Sequence, residues 1–302
     1  MRNRSETLRR DSRKGVPSYL YFVLPAIILV GIILLFPIIY SMVISFFNWP
    51  QVDSGNRFFM WGKNYLDLIN DHEFWHSLFL QLGFIFIAIP IELVIGFLVA
   101  LLFNREFPIS GVLRTLLLLP VFTLPVLSGL TWRLMLQPGY GAITYLLSLV
   151  GFDFPQGILS DKNLAYSAVI VQDIWRMWPF MFVILYAGLV GLPKDIMEAA
   201  ELDGAGFFRK TFTITIPMLR PTITTAILLR IIDALRIFSE VFVMTNGGPG
   251  GNGTMLYSLY IHKQAFEFGK LGYASSMAVI LIVVSVLFAF SLVRKNMDID
   301  TM

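Results

Sequence analysis

Two apolar runs decide most of what this chain can be. Residues 19–47 and 272–293 contain no Asp, Glu, Lys or Arg, and about 20 mostly apolar residues suffice to cross a bilayer. Lipid offers no partner to a backbone N–H or C=O, so such a run must satisfy its own hydrogen bonds as a helix. Four further stretches meet or approach the same standard, at 77–103, 115–136, 164–189 and 218–244. The expectation is an all-α, polytopic membrane protein with six transmembrane helices. Composition agrees: 56% of residues are hydrophobic and 14% charged, against about a quarter charged in soluble domains. A soluble enzyme, a disordered chain and a collagenous scaffold are thereby excluded. Cysteine is absent, which removes a disulfide framework, a thiol nucleophile and Cys-ligated zinc. A signal peptide is not expected, because the first run is too long and continues through Phe36-Pro37 without a small-residue cleavage site.

The basic residues are dispersed between the apolar runs, so they report membrane orientation and no nucleic-acid partner is expected. The amino-terminal tail carries Arg2, Arg4, Arg9, Arg10, Arg13 and Lys14. With Arg105, Arg114, Lys194, Arg209, Lys210, Arg220, Arg294 and Lys295, it makes one side of the membrane rich in cations. The opposite loops hold Arg57, Lys63, Lys162, Lys263 and Lys270. By the positive-inside rule both termini are cytoplasmic. Residues 1–18 then form a cytoplasmic tail and 19–302 a single transmembrane domain, with outer loops 48–76 and 245–272 too short for a further folded unit. The second of these loops offers a Gly-rich start and the side chains Tyr257, Tyr260 and Phe266 as contact area. Asn252-Gly253-Thr254 has the form of a glycosylation sequon, and its surroundings read more plainly as a flexible turn.

Residues 191–217 read GLPKDIMEAAELDGAGFFRKTFTITIP, the pattern of a helical hairpin. Pro193 suits a first helical turn, Asp195 and Glu198 suit a positive helix N-terminus, and Gly204 and Gly206 are natural helix stops. A short helix offering Ile196, Ala199, Ala200 and Leu202 suits docking into a groove of another protein. On chemistry alone an ordinary amphipathic loop reads the same way. The residues, however, resemble the permease subunits of binding-protein-dependent ABC importers, whose EAA loop places EAA, G, I, L and P at fixed spacings. Glu198-Ala199-Ala200, Gly204, Ile214 and Pro217 stand at those spacings, with Ile216 where the family usually has Leu. Asp203-Gly204-Ala205, the run Thr245-Asn246-Gly247-Gly248-Pro249 and FMWGKNYLDL near residue 60 look like the carbohydrate-uptake branch, the maltose, glycerol-3-phosphate and lactose type.

The resemblance implies the type I ABC importer transmembrane fold in a bacterial inner membrane. It also implies partners: a second homologous permease, two ATP-binding subunits, an extracytoplasmic solute-binding protein and membrane lipid. Glu198, Ala199, Ala200, Asp203, Gly204, Ala205, Ile214 and Pro217 would couple the chain to the ATPase. The chain is not expected to be an enzyme or to bind a cofactor. A Walker A loop needs Gly-Lys-Ser/Thr, and neither Gly-Lys pair fits, since Gly62-Lys63 is followed by Asn64 and Gly269-Lys270 by Leu271. ATP and Mg would belong to the partner subunits.

Span five carries Arg230, Asp233, Arg236 and Glu240, and each charge near mid-membrane costs roughly 2.5–3.5 kcal/mol. On one continuous helix all four share a face, with alternating signs at spacings that allow pairing. Span four adds Asp173 and Arg176. In carbohydrate importers of this type the substrate lies against these two spans. The resemblance thus puts Asp173, Arg176, Met177, Phe180, Arg230, Asp233, Ala234 and Arg236 on the substrate path. Guanidinium groups there would suit a sulfonated, phosphorylated or carboxylated sugar. Alternatively Arg176 and Arg230 neutralise Asp173 and Asp233, and the cargo is a neutral oligosaccharide or polyol.

A secondary transporter would also explain buried charges, but it leaves the EAA pattern without a role, and no broken-helix repeat is visible. His72-Glu73-Phe74-Trp75-His76 matches the helical zinc motif H-E-x-x-H, which alone would argue for a membrane metalloprotease. Its third ligand would have to be Glu92, deep in span two, or His262 in a distant loop. Phe74 and Trp75 are more simply interfacial anchors, and no metal is expected.

Overall fold

The computed structural model describes residues 18–52, 54–104 and 108–300. Four helices are long and apolar enough to cross a membrane: α1 (Ser18–Ile44), α3 (His72–Phe103), α8 (Lys162–Val190) and α15 (Leu271–Asp300). Helix α2 (Lys63–Ile69) precedes α3 at the same end of the molecule as a short hairpin of β1 (Phe47–Asn48) and β2 (Phe58–Phe59), paired antiparallel with Phe47 opposite Phe59. At 1.5 Å per residue the 32 residues of α3 span about 48 Å, more than the roughly 30 Å hydrocarbon core. It is therefore long enough to overhang the hydrocarbon core, and its polar residues His72, Glu73 and His76 stand at its start.

The other two stretches are broken helices, which brings the number of spans to six if each bent pair is one span. Helices α4 (Ser110–Leu117) and α5 (Leu119–Phe122) meet α6 (Pro125–Met135) at a bend of 90°. Pro125 has no N–H to give, and it holds Leu124 extended at φ −57°, ψ 132°, as a residue before proline prefers. After α7 (Ala142–Leu149), α8 and α9 (Lys194–Leu202) comes a run of α10 (Phe207–Arg209), a π-helical segment (Lys210–Thr215) and α11 (Ile216–Met218). It turns by 67° into α12 (Arg220–Ala234), with Pro221 in the first turn. The apolar stretches 115–136 and 218–244 are thus each interrupted by a bend.

Helix α12 also ends earlier than the apolar pattern suggests, with α13 (Ser239–Met244) following separately. Two carbonyls that a continuous helix would use are taken from outside. Gln81 Nε2 donates to the Ala234 carbonyl at 2.9 Å, and Ser258 Oγ donates to the Leu235 carbonyl at 2.9 Å. Insertion of side chains into the i to i−4 ladder is a recognised cause of a helix break. Arg230, Asp233, Arg236 and Glu240 therefore do not lie on one face of one helix.

The core is the α3–α8 pair, with Phe84, Ala88, Met181, Phe182 and Leu185 fully enclosed. Gly96 makes their close approach possible: a Cβ there would stand 2.7 Å from Met181 Cβ and 2.8 Å from the Phe182 nitrogen. Small residues at helix crossings serve this purpose in membranes. By contrast α1 leaves Ile27, Ile32, Phe36 and Ile39 exposed along its length, a surface suited to lipid or a second membrane subunit.

Loops 48–76 and 245–272, the latter containing α14 (Tyr257–His262), converge at one end. The Gln51 N–H donates to the Gly269 carbonyl at 2.8 Å, and Tyr260 donates to Asp71 Oδ2 at 2.6 Å. Tyr273 donates to the same oxygen. Burial pushes the Asp71 carboxyl up, and these hydrogen bonds with those of the Phe74 and Glu73 amides bring it net below its ordinary value. Tyr257 and Tyr260 are buried, with the Tyr257 hydroxyl on the Met277 carbonyl at 2.9 Å. They are therefore not available as the contact area expected of them, whereas Phe266 is 62% exposed.

Candidate functional site

Two constellations stand out, one buried between helices and one projecting from them. Arg230 on α12 is the centre of the first and has no exposed surface. Its Nε and Nη2 hold Glu92 of α3 as a two-pronged pair at 2.7 and 3.0 Å. Nη1 donates to Asp233 at 3.1 Å, and Nη2 also meets Asp173 of α8. Arg176, one turn beyond Asp173, binds Glu240 of α13 at 2.9 Å and Asp173 at 3.5 Å. Four carboxylates and two guanidiniums thus tie α3, α8, α12 and α13 together. Charges at membrane depth must be paired in this way, because lipid supplies no counter-ion, and the planar fork of arginine suits two carboxylates at once.

Of the expected substrate-path residues, Asp173, Arg176, Arg230 and Asp233 are drawn into this network. Met177 lies buried on α8 and Phe180 half-buried, while Ala234 is buried with its carbonyl held by Gln81. Asp233 keeps 54% of its side chain exposed. Arg236 stands apart: it lies beyond the end of α12, exposed, with no ion pair or side-chain hydrogen bond among the described residues.

Glu92 is the partner that sequence reasoning missed, having been weighed only as a zinc ligand. The signal was present, since Glu92 is the single charged residue of the run 77–103 and such a residue needs a buried cation. The buried pair of Gln172 and Ser128, 2.8 Å apart, carries no comparable signal.

The second constellation is the hairpin at 191–217. Helix α9 stops where the Ala205 N–H reaches back to the Ala200 carbonyl at 2.9 Å and Gly204 adopts φ +73°. This is the left-handed C-terminal turn that glycine takes without penalty. Gly206 is a correction: at φ −64°, ψ 164° it begins the second arm and stops nothing. Lys210 Nζ donates to Glu201 Oε1 at 2.5 Å across the arms, which holds the Glu201 carboxyl below the usual carboxylate range. Glu198, Ala199, Asp203 and Gly204 are exposed, Ala200 is buried, and Ala205, Ile214 and Pro217 are half-buried. Leu202 is 89% exposed and Phe208 74%.

The H-E-x-x-H residues form the first turns of α3. His76 Nε2 and the Asn252 carbonyl are 3.1 Å apart, and Asn252 Nδ2 donates weakly to Glu73 at 3.4 Å. These side chains brace the loop that follows α13.

Comparison with known proteins agrees with the hairpin. The family described as "Binding-protein-dependent transport system inner membrane component" matches residues 74–298. The chain is 36% identical to the trehalose/maltose transport system permease protein MalF of Thermococcus litoralis, over 76% of this chain and 77% of that one. It is 34% identical to the sulfoquinovosyl glycerol transport system permease protein SmoG of Agrobacterium fabrum, over 86% and 84%. Its fold is similar to a chain of a bacterial alginate ABC transporter solved in complex with alginate pentasaccharide-bound periplasmic protein, with TM-score 0.76 and 20% identity over 91% and 92%. With three quarters of its length in the family pattern and an exposed hairpin of the EAA form, this chain belongs to the binding-protein-dependent transport system inner membrane components.

Proposed function

We propose that the chain is one permease subunit of an ATP-driven importer for a sugar or sugar derivative delivered by an external binding protein. The hairpin carries this reading: a two-armed projection whose Leu202 and Phe208 stay exposed among the described residues. Its occupant would be the cleft of an ATP-binding subunit, two of which would bind the ATP and Mg and do the hydrolysis. A second homologous permease and the solute-binding protein complete the assembly, the latter supported by the complex of the alginate transporter.

In this reading 19–302 is a single permease domain with six spans in a bacterial inner membrane, residues 1–18 are a cytoplasmic tail, and both termini lie inside. The charge count along the sequence supports it. So does Arg114 stacked 4.8 Å over Tyr186, at the end opposite loops 48–76 and 245–272. The cationic tail and Arg105 themselves lie outside the described residues. The second arm of the hairpin runs through its π-helical segment and α11 into α12. Closure of the ATPase would therefore pull on the helix that carries Arg230.

The sugar class rests on the family branch and the names of the relatives. For its charge, the buried network favours a neutral, hydroxyl-rich cargo. Arg230 is enclosed and four of its five N–H donors go to carboxylates, so it cannot offer a sulfonate or phosphate a two-pronged contact. Asp233 would instead accept hydroxyl hydrogens. The anionic reading is left with Arg236, exposed and without a partner among the described residues.

The test is ATP-dependent uptake into vesicles carrying the full complex, with maltose or trehalose against a sulfonated sugar. Leu202→Asp should abolish uptake while leaving the permease in the membrane. Uptake by that variant at the wild-type rate would sink the coupling role. Preference for the sulfonated sugar, lost in Arg236→Gln, would replace the neutral cargo by an anionic one.

A further inference from the structure

At the end where loops 48–76 and 245–272 converge lies a polar cavity of about 540 Å³, within the roughly 300–1,000 Å³ of small-molecule sites. Trp49, Asp67, Asp71, Gln264, Lys270 and Tyr273 line it, and none of them belongs to the Arg230 network. Asp71 is committed to holding the loops together, its oxygens taken by Tyr260, Tyr273 and the Glu73 amide. Three other groups keep free hydrogen-bonding capacity. Asp67 and Lys270 are exposed and make no ion pair or side-chain hydrogen bond among the described residues. Gln264 is only 7% exposed, yet its Oε1 has no hydrogen-bond partner. A buried amide oxygen is seldom left so in a folded protein without a ligand or water to serve it.

We propose that this cavity is an outer carbohydrate subsite, where a sugar rests before or after it passes the buried network. The class of ligand and the outward position rest on the importer reading above. Sugar hydroxyls are donors and acceptors at once, and the free groups here are of both kinds: Asp67 and Gln264 accept, Lys270 donates. Trp49 supplies part of the apolar lining, packed between Tyr40 and Phe47. Arg57 already lies 4.2 Å from the Trp49 ring centroid, which orients the indole. A simple cation would find the acceptors but would be repelled by Lys270.

The experiment uses the full chain in lipid nanodiscs, with radiolabelled maltose and trehalose as probes and, as a second signal, the tryptophan fluorescence change that is lost in Trp49→Phe. Asp67→Asn and Lys270→Gln, both at exposed positions, should each weaken binding about 10-fold, the scale of losing one hydrogen bond to a charged group. Gln264→Leu should weaken it also. Binding that is unchanged by these substitutions and weakened by Asp233→Asn would overturn the outer subsite while leaving the importer reading intact. Absence of binding by either sugar would also overturn it, and the uptake assay then judges the importer reading separately. Loss of affinity for the binding protein in Asp67→Asn, with sugar affinity unchanged, would make the cavity a protein contact instead.

Discussion

The buried network and the projecting hairpin solve opposite problems. In the network six charged side chains neutralise one another and Arg230 has no surface left, although Asp173 Oδ1 and Arg176 Nε find no hydrogen bond. In the hairpin the large apolar side chains Leu202 and Phe208 face outward, and its internal bonds serve only to shape two arms. A cluster whose charges pair among themselves reports what holds the helices together. An open surface with apolar tips reports a missing neighbour. The comparison teaches that the most expensive residues of the chain are the less informative about partners, and the cheap exposed ones the more.

The sharpest way to break this contrast is Arg230→Met. It leaves Glu92 and Asp173 buried beside no cation but Arg176, and removing one partner of a buried pair costs about 3–5 kcal/mol. Little folded permease should elute from size exclusion, with a large drop in unfolding temperature; an unchanged midpoint would show that the network is not closed as described. Neutralising both partners, as in Glu92→Gln with Arg230→Gln, should recover part of the loss.

Asp71→Asn tests a smaller closed cluster, at the outer end. Two tyrosines donate to this carboxylate, and hydrogen bonds to a charged group are worth about 1.5–3 kcal/mol when well shielded, toward the lower figure at this half-exposed position. Amide exchange over 245–272 should quicken while the α3–α8 core stays protected. The folded carboxyl titrates below its ordinary value, so Asp71 contributes fully above about pH 4. That contribution is lost as pH falls through the folded value. Loop protection that survives unchanged to lower pH would contradict the cluster.

On the open side, Gly204→Val forces a β-branched residue to φ +73°, at a cost of about 1–2 kcal/mol. No neighbouring atom lies within 4 Å of a Cβ there, so the harm is to the angle between the arms. Uptake and its coupling to ATP hydrolysis should fall at least about 10-fold while the isolated chain keeps nearly its full thermal stability. Normal coupling in this variant would make the hairpin an ordinary loop. The smallest effect is expected of Lys210→Ala, which removes a solvent-exposed pair with Glu201. Such pairs contribute little, and the unfolding midpoint should not move measurably.

The hairpin was legible because its signals are local: Glu198 to Gly204 lie within two turns, and Gly204 is the residue a left-handed turn requires. The network was legible only in part. Asp173 and Arg176 are one turn apart, but Glu92 and Arg230 are separated by 138 positions, and no periodicity connects them. Treating span five as continuous misplaced Arg236 and Glu240, because the break after Ala234 is imposed by Gln81 and Ser258, which approach from other helices. Tyr257 and Tyr260 were read as exposed for the same reason: their cover, Met277 and Asp71, comes from elsewhere.

What the sequence by itself determined was the membrane-protein class, the apolar stretches and the form of the hairpin at 191–217. These follow from demands met within a segment, namely backbone hydrogen bonds satisfied in lipid and a turn geometry that glycine permits. Only the tertiary structure decided which charges neutralise which, where helices break, and which aromatic residues remain outside. Each of those outcomes depends on a side chain from a distant helix arriving within hydrogen-bond reach, and the sequence carries no local trace of that arrival.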